Sequence, residues 1–197
     1  KGLDRLIEAF SIFYELHPNS ILYMHTTKQA WAVPEFHLDK VLKAYNVPPE
    51  AVRFPDDYPM FMGYSDEGMR AMYNSLDVFV LATTGEGFGL PVIEAQACGV
   101  PVIATKCTSM PELVMEDMGL LVESSDRFLS LGYGFQWEIS VPGLVDAMEE
   151  AYNSLREKCK CSDPTCDGYP WRRVVALHGK NYQWDTIYGN HWRPFLA

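Results

Sequence analysis

The fold of this chain is decided by Val78-Phe79-Val80-Leu81 and, shortly after it, Gly85-Glu86-Gly87-Phe88-Gly89-Leu90-Pro91-Val92-Ile93-Glu94-Ala95. The continuous apolar run is typical of a strand that is buried on both faces of a parallel sheet. A helix is predicted from about Leu90, because Pro91 suits the first turn of a helix and lacks an N–H that would be unpaired there. The residues between these two elements are therefore predicted to form a glycine-rich turn from strand to helix.

The same alternation continues in both directions from this turn. Helical spacing of apolar residues covers residues 3–13, 38–45, 69–76 and 144–155, and a short helix is predicted near 111–114. Strands are predicted at residues 21–24, 52–54, 101–105 and 119–122. Strands that alternate with helices predict an α/β fold with an open, mostly parallel sheet flanked by helices. Between Ser124 and Ser140 the alternation stops, and this segment is predicted to be an insertion or a surface excursion.

Length, charge and cysteine content restrict the class of protein. With 197 residues one domain is the default, and the net charge of -10 argues against a protein that binds a nucleic-acid backbone. The chain opens on Lys1 without a signal peptide or a long apolar span, so we expect a fragment of a soluble protein. The five cysteines are an odd number, and Cys98 and Cys107 fall in a predicted core helix and loop, which favours a reducing cytoplasm over a disulfide framework.

The glycine-rich turn carries the predicted chemistry. Gly87 and Gly89 let the backbone approach a ligand, and the first turn of a helix exposes unpaired N–H groups that favour an anion such as phosphate. In an α/β fold such a site lies at the carboxyl edge of the sheet. Glu86 and Glu94 flank the turn, and because a carboxylate only accepts hydrogen bonds, the hydroxyl groups of a sugar suit it better than phosphate does. The turn therefore predicts a ligand that carries both phosphate and hydroxyl groups.

Three segments of the chain resemble a known family. They are Lys1-Gly2-Leu3-Asp4-Arg5-Leu6-Ile7, Gly63-Tyr64-Ser65 and, above all, residues 86–104, in which seven residues separate two glutamates in a Gly-Phe-Gly setting. Together they resemble the C-terminal domain of glycosyltransferase family 4, over residues 1–122 and more loosely beyond them. The resemblance implies the C-terminal half of a GT-B fold, in which two Rossmann-like domains face each other and this half holds a nucleotide sugar.

The resemblance also implies roles for individual residues. Glu86, as the catalytic residue of the set, would contact the hydroxyls of the donor sugar, and Glu94 would contact the ribose hydroxyls. Lys1 stands where the family has a phosphate-binding lysine, and Tyr64 stands where the family lines the nucleobase pocket. The amides that would face the sugar and the diphosphate belong to Gly87, Phe88, Gly89 and Leu90. The family also has an arginine before that lysine, on a loop after a first strand, and residues 1–197 contain neither.

The activity that the resemblance implies is that of a hexosyltransferase. The complete protein would move a sugar from a UDP-, GDP- or ADP-sugar to a hydroxyl acceptor, with retention of configuration and without a cofactor or a metal. Residues 1–197 would be the donor domain, inactive alone, and residues 170–197 would form helices that brace an absent N-terminal acceptor domain. Front-face attack is favoured over double displacement through Glu86, because the resemblance places this glutamate away from the anomeric face.

Each of these residues also has a plainer interpretation. A glutamate in a loop is usually solvated, Lys1 suits a frayed terminus, and Tyr64 suits a core or capping position. No Asp-x-Asp pair suited to a metal-bound diphosphate occurs in the sequence. The cysteines Cys159, Cys161 and Cys166 lack the paired spacing of common zinc sites, so free thiols are expected there.

Two other functions are alternatives to a glycosyltransferase for this chain. One is a non-catalytic module that binds a nucleotide sugar or regulates another protein, and the other is a sugar-nucleotide epimerase. A second α/β domain upstream of Lys1, with a cleft for an acceptor, would favour the transferase over both.

Overall fold

The structure is a computed structural model that describes residues 2–28, 37–56, 62–114, 119–130 and 134–156. In these residues an α/β order is present, as predicted. The elements are α1 (Leu3–Leu16), β1 (Leu22–Tyr23), α2 (Leu38–Ala44), a 3-10 turn (Pro49–Ala51), β2 (Val52–Arg53), α3 (Asp66–Asn74), β3 (Phe79–Leu81), α4 (Leu90–Ala97), β4 (Val102–Thr105), α5 (Met110–Leu113), β5 (Gly119–Val122), β6 (Ser124–Ser130), β7 (Gly134–Ile139) and α6 (Val141–Arg156).

The central strands β3, β4 and β5 form a parallel sheet in that order. Phe79 pairs with Val102, and Val102 pairs with Gly119, so the three strands end at the same edge of the sheet. The strands β1 and β2 form a separate parallel pair in the described residues. The predicted burial of β3 on both faces was wrong, because its three residues are only half-buried. Within the described residues β3 pairs with β4 on one side only, which leaves its other side less covered.

The predicted insertion between Ser124 and Ser140 is an antiparallel hairpin made of β6 and β7. Its strands pair mainly with each other, for example Leu129 with Phe135. Most of β6 is exposed, and both residues of that pair are more than half exposed. The sequence did not predict these strands, because an exposed hairpin needs no alternation of apolar and polar residues.

Two hydrophobic clusters cover the two faces of the central sheet. The strand β4 divides its side chains between them by the usual alternation of a strand: Ile103 joins the first cluster, and Val102 and Ala104 join the second. The first cluster packs α1, α2 and α6, and the second packs α3, α4 and α5. This gives a helix–sheet–helix sandwich, in which each fully buried large apolar side chain contributes about 1.5–3 kcal/mol.

Among the helices of the described residues, none is both long enough and apolar enough to pass through a lipid bilayer.

Candidate functional site

The glycine-rich turn joins β3 to α4 as predicted, and Gly89 is the residue of the turn whose conformation and packing are most restricted. Gly89 has a φ of 103°, which favours glycine, and it precedes the first residue of α4. A Cβ atom at this position would lie 2.4 Å from Cε of the buried Met110, so α4 and α5 pack closely here because residue 89 has no side chain. By contrast, a Cβ atom at Gly87 would meet no atom within 4 Å. Gly89 is thus favoured by its positive φ and by the close contact with Met110, whereas Gly87 leaves open space at the surface of the turn.

The amides at the start of α4 remain available to a ligand. In the part of the chain that the structure describes, the N–H groups of Phe88, Gly89 and Leu90 donate to no protein acceptor. Unpaired N–H groups at a helix N-terminus favour an anion. The Phe88 and Leu90 side chains are 49% and 60% exposed, so apolar surface adjoins these amides.

Glu86 is held by two threonines. The Thr83 side chain is buried, with 1% of its surface exposed, and its Oγ1 lies 3.1 Å from Oε1 of Glu86 and 3.1 Å from the carbonyl oxygen of Gly85. Its single proton can be donated to either oxygen, while Oγ1 accepts from the Gly85 N–H at 3.2 Å. The Glu86 N–H donates to Oγ1 of Thr108 at 3.1 Å. This carboxylate is therefore half-buried and oriented, which a solvated loop glutamate is not.

The loop between β4 and α5 also forms hydrogen bonds with the turn. Thr108 has a φ of 47°, a conformation that a β-branched residue rarely adopts and that costs about 1–3 kcal/mol. In this conformation its hydroxyl accepts from Glu86, and the next residue, Ser109, donates from Oγ to the carbonyl oxygen of Phe88 at 2.6 Å. The strained loop thus supports the turn at both ends of the Glu86–Phe88 segment.

Glu94 lies in the middle of α4, where its side chain is exposed. The hydroxyl of Tyr73, from α3, donates to Oε2 of Glu94 at 2.8 Å. Tyr73 itself is 3% exposed, and burial is the largest cause that raises the pKa of its phenol, followed by this hydrogen bond. The Tyr73 hydroxyl is thus a fixed donor at neutral pH.

Tyr64, the predicted nucleobase contact, lies two residues before α3 and is half-buried. Its ring centroid is 5.3 Å from that of His25, and Nδ1 of His25 is 3.1 Å from the Tyr23 hydroxyl. The helix itself is capped by Ser65, which accepts from the Gly68 N–H at 3.2 Å, so Tyr64 is not the capping residue. Tyr64 therefore belongs to a small aromatic group with His25 and Tyr23.

The N-terminus of α1 approaches the end of β3. Gly2 has a φ of 30°, and a Cβ atom there would lie 2.4 Å from the carbonyl oxygen of Ala82. The first turn of α1 therefore starts at the same edge of the sheet as the glycine-rich turn. Lys1, the predicted phosphate ligand, lies outside the described residues.

The β6–β7 hairpin borders this edge as well. The Trp137 N–H donates to the carbonyl oxygen of Thr84 at 2.9 Å, two residues before Glu86. Glu138 accepts from Arg5 of α1, with Nη2 of the arginine 2.7 Å from Oε1. The hairpin thus connects the turn to the first helix, a connection that the sequence did not predict.

The described ranges bring no three His, Cys, Asp or Glu side chains together as a metal site would need. Cys98 and Cys107 are free thiols, and burial raises the pKa of both. Three of the predicted free thiols, Cys159, Cys161 and Cys166, lie outside the described residues, as do residues 170–197.

Sequence reasoning missed the supporting hydroxyls of this site. Thr83, Thr108 and Ser109 have polar side chains just after predicted strands, at the edge where the strands end. That position was a usable signal, because in an α/β fold the carboxyl ends of parallel strands border the ligand site. Tyr73 gave no such signal, because at helical spacing it reads as an ordinary core residue.

Comparisons with known proteins show which family this chain resembles. A family model described as Glycosyl transferases group 1 matches residues 37–130. O-antigen chain mannosyltransferase B of Escherichia coli is 43% identical over 67 residues, which are 34% of this chain and 17% of that protein. D-inositol 3-phosphate glycosyltransferase of Arthrobacter sp. (strain FB24) is 25% identical over 186 residues, 93% of this chain and 37% of that protein. The chain thus spans well under half the length of either relative.

The solved structures extend the agreement to the fold. Sucrose-phosphate synthase of Thermosynechococcus elongatus matches 100% of this chain and 43% of its own, with a TM-score of 0.62 and 25% sequence identity. Other structural neighbours are GT-B glycosyltransferases as well. The matched residues, the relatives and the fold show that this chain is similar to the group 1 glycosyl transferases, and they support its resemblance to glycosyltransferase family 4.

Proposed function

We propose that this chain is the donor-binding domain of a retaining glycosyltransferase, which transfers a hexosyl group from a nucleoside diphosphate sugar to a hydroxyl acceptor. The observation that supports this most directly is the turn between β3 and α4. There the oriented carboxylate of Glu86 adjoins the amides of Phe88, Gly89 and Leu90, which have no acceptor in the described residues. A group that accepts from sugar hydroxyls and a surface that donates to an anion lie on one turn, and a sugar diphosphate needs both.

The same turn supports a mechanism that does not depend on a metal. The main barrier in the transfer is the negative charge that grows on the leaving diphosphate, and fixed donors aimed at this charge lower the barrier. The amides of the α4 N-terminus would supply such donors, together with the ammonium group of Lys1. The two-point support from Thr108 and Ser109 keeps the turn rigid, so the donors need not reorganise during the reaction. The acceptor then attacks the front face of the sugar, with Glu86 bound to the sugar hydroxyls.

A mannosyl donor is the first sugar to test. Several relatives of this chain carry the word mannosyltransferase in their names, including relatives from Escherichia coli and Rhizobium meliloti. Their similarity covers only part of each protein, so the donor of this chain is proposed from it as a starting point. The acceptor would be bound by an N-terminal domain beyond residues 1–197, and residues 170–197 would brace that domain.

The location that we propose for the protein is the cytoplasm. The free thiols Cys98 and Cys107 are consistent with a reducing compartment.

The test has two parts. The full-length protein is screened by thermal shift against UDP-, GDP- and ADP-sugars, including a mannosyl donor, and the donor that stabilises it is then used in a transfer assay. We expect stabilisation by one donor class and transfer by the full-length protein. Residues 1–197 alone should bind the donor weakly and transfer nothing. Binding without transfer by the full-length protein would favour a non-catalytic binding module, and transfer by residues 1–197 alone would contradict the domain assignment.

A further inference from the structure

The contact between Tyr73 and Glu94 joins a buried side chain to an exposed one. The ring of Tyr73 is enclosed by the second hydrophobic cluster and lies edge-on to Phe79, with ring centroids 5.8 Å apart and an angle of 72° between the rings. Its position is therefore fixed by packing. Glu94, by contrast, extends from the exposed side of α4, and an exposed glutamate has many rotamers of similar energy.

The hydrogen bond from Tyr73 selects one of these rotamers. In the described part of the chain Tyr73 is the one hydrogen-bond partner of the Glu94 carboxylate, and it engages Oε2. The phenol donates to Oε2, so the other oxygen, Oε1, stays open to further donors. A carboxylate that is fixed in this way can accept from two neighbouring hydroxyl groups without first losing rotamer freedom.

We propose that Tyr73 is a positioning residue, which fixes the Glu94 carboxylate to accept hydrogen bonds from the vicinal hydroxyls of the ribose in the donor. This inference rests on the proposed function, because it takes Glu94 as the contact of the ribose. It adds a residue from α3 to a site built mainly by the turn between β3 and α4. Tyr73 itself does not touch the ligand, so the substitution of its hydroxyl acts through Glu94.

The experiment compares Tyr73→Phe with a matched control. Tyr73→Phe keeps the buried ring and removes the donor. The control is Tyr45→Phe, since the Tyr45 hydroxyl also donates to a glutamate, Oε2 of Glu8 at 3.2 Å, on the other hydrophobic cluster. The full-length protein is titrated with UDP, GDP and ADP and with the 2′,3′-dideoxy analogue of the diphosphate that binds. Glu94→Ala and the double variant Tyr73→Phe/Glu94→Ala complete a thermodynamic cycle.

We expect Tyr73→Phe to raise the Kd of the nucleoside diphosphate about threefold to tenfold, the range of one net hydrogen bond. The Kd of the dideoxy analogue should not change, and Tyr45→Phe should change neither value. In the Glu94→Ala background the Tyr73 substitution should have no further effect. A merely structural role for Tyr73 would weaken both ligands equally.

Three outcomes separate the inference from the function on which it rests. If Glu94→Ala weakens the diphosphate selectively but Tyr73→Phe does not, the positioning role is wrong and the donor site stands. If Tyr73→Phe weakens the diphosphate and its dideoxy analogue equally, the role is also wrong. If the wild-type protein binds no nucleoside diphosphate and no nucleotide sugar, the proposed function itself fails.

Discussion

The hydroxyl of the buried Thr83 lies 3.1 Å from Oε1 of Glu86, three residues further along the chain. This short link means that the end of strand β3 directly orients the carboxylate at the centre of the proposed donor site. The same hydroxyl accepts from the Gly85 N–H, so one side chain holds both the backbone of the turn and its functional group.

Replacement of Thr83 by valine should therefore affect both stability and binding. Valine keeps the branched shape but leaves the Gly85 N–H without its acceptor, which should lower the free energy of unfolding by about 1–3 kcal/mol in urea denaturation. The Kd of the intact nucleotide sugar should rise, because Glu86 loses its orientation. Thr83→Ser keeps the hydroxyl and should preserve most of both properties. Equal effects of valine and serine would show that the hydroxyl is not the cause.

Substitution of the two glutamates by glutamine should separate the parts of the ligand. Glu94→Gln should weaken nucleoside diphosphate and intact donor alike, because the ribose is present in both, and a hydrogen bond to a charged group contributes about 1.5–3 kcal/mol. Glu86→Gln should weaken only the intact donor, and it should lower kcat in the full-length enzyme if its contacts tighten in the transition state. Isothermal titration of both ligands against both variants measures this. Equal losses for the two ligands with Glu86→Gln would contradict its contact with the sugar.

Gly89→Ala should destabilise the fold, whereas Gly87→Ala should not. Alanine at position 89 would keep an unfavourable positive φ and would crowd Met110, with a combined cost of about 1–3 kcal/mol. Alanine at position 87 would meet no atom within 4 Å. Thermal unfolding of both variants checks the contrast. In the double variant Gly89→Ala/Met110→Ala the contact with Met110 is removed, but the loss of stability caused by the positive φ of residue 89 should remain. A neutral Gly89→Ala would mean that the turn relaxes without cost.

The stability of the protein should fall as the pH drops below the ordinary pKa of histidine, in part because of His25. Burial lowers the pKa of His25 in the folded chain from its usual 6.5. Below that pH the unfolded state binds a proton that the folded state still excludes, so acid favours unfolding. The variant His25→Asn, which keeps an acceptor for Tyr23, should lose less stability between pH 8 and pH 5.5 than the wild type, as measured by urea denaturation at each pH. Parallel losses would rule out His25 as a contributor.

Removal of divalent metal should leave donor binding unchanged. The sequence lacks an Asp-x-Asp pair, and the proposed diphosphate contacts are amides and a lysine. Titration of the donor with and without EDTA should give the same Kd. A large loss that added Mg²⁺ or Mn²⁺ reverses would contradict a metal-independent site.

The boundaries of helices were predicted well where a glycine or proline marks the end or the start of the helix. Pro18 follows α1 by two residues, and Gly89 with Pro91 fixes the start of α4 at Leu90, as predicted. The strands at 21–24 and 52–54 were predicted too long, because the structure pairs only Leu22 and Tyr23 with Val52 and Arg53. Strand length depends on the partner strand, and the partner cannot be read from the strand itself.

The residues that orient the site by hydrogen bonds were less predictable than the residues of the glycine-rich turn itself. Glu86 and Gly89 were identified because they belong to a specific motif, and the structure gives each of them a defined local role. Thr108 reaches Glu86 across 22 residues, and Tyr73 reaches Glu94 across 21 residues. Such contacts join side chains of ordinary type, so no spacing in the sequence indicates them.

The ion pair between Arg5 and Glu138 joins positions 133 residues apart. During synthesis the first helix leaves the ribosome long before the hairpin that it must meet, and long-range contacts of this kind form late because a large loop must close first. The contacts that the hairpin makes with Thr84 and Arg5, beside the glycine-rich turn, can therefore form only when nearly all of the described chain is available. A nascent chain that ends before β7 would carry the glycine-rich turn without the contacts that Trp137 and Glu138 make beside it.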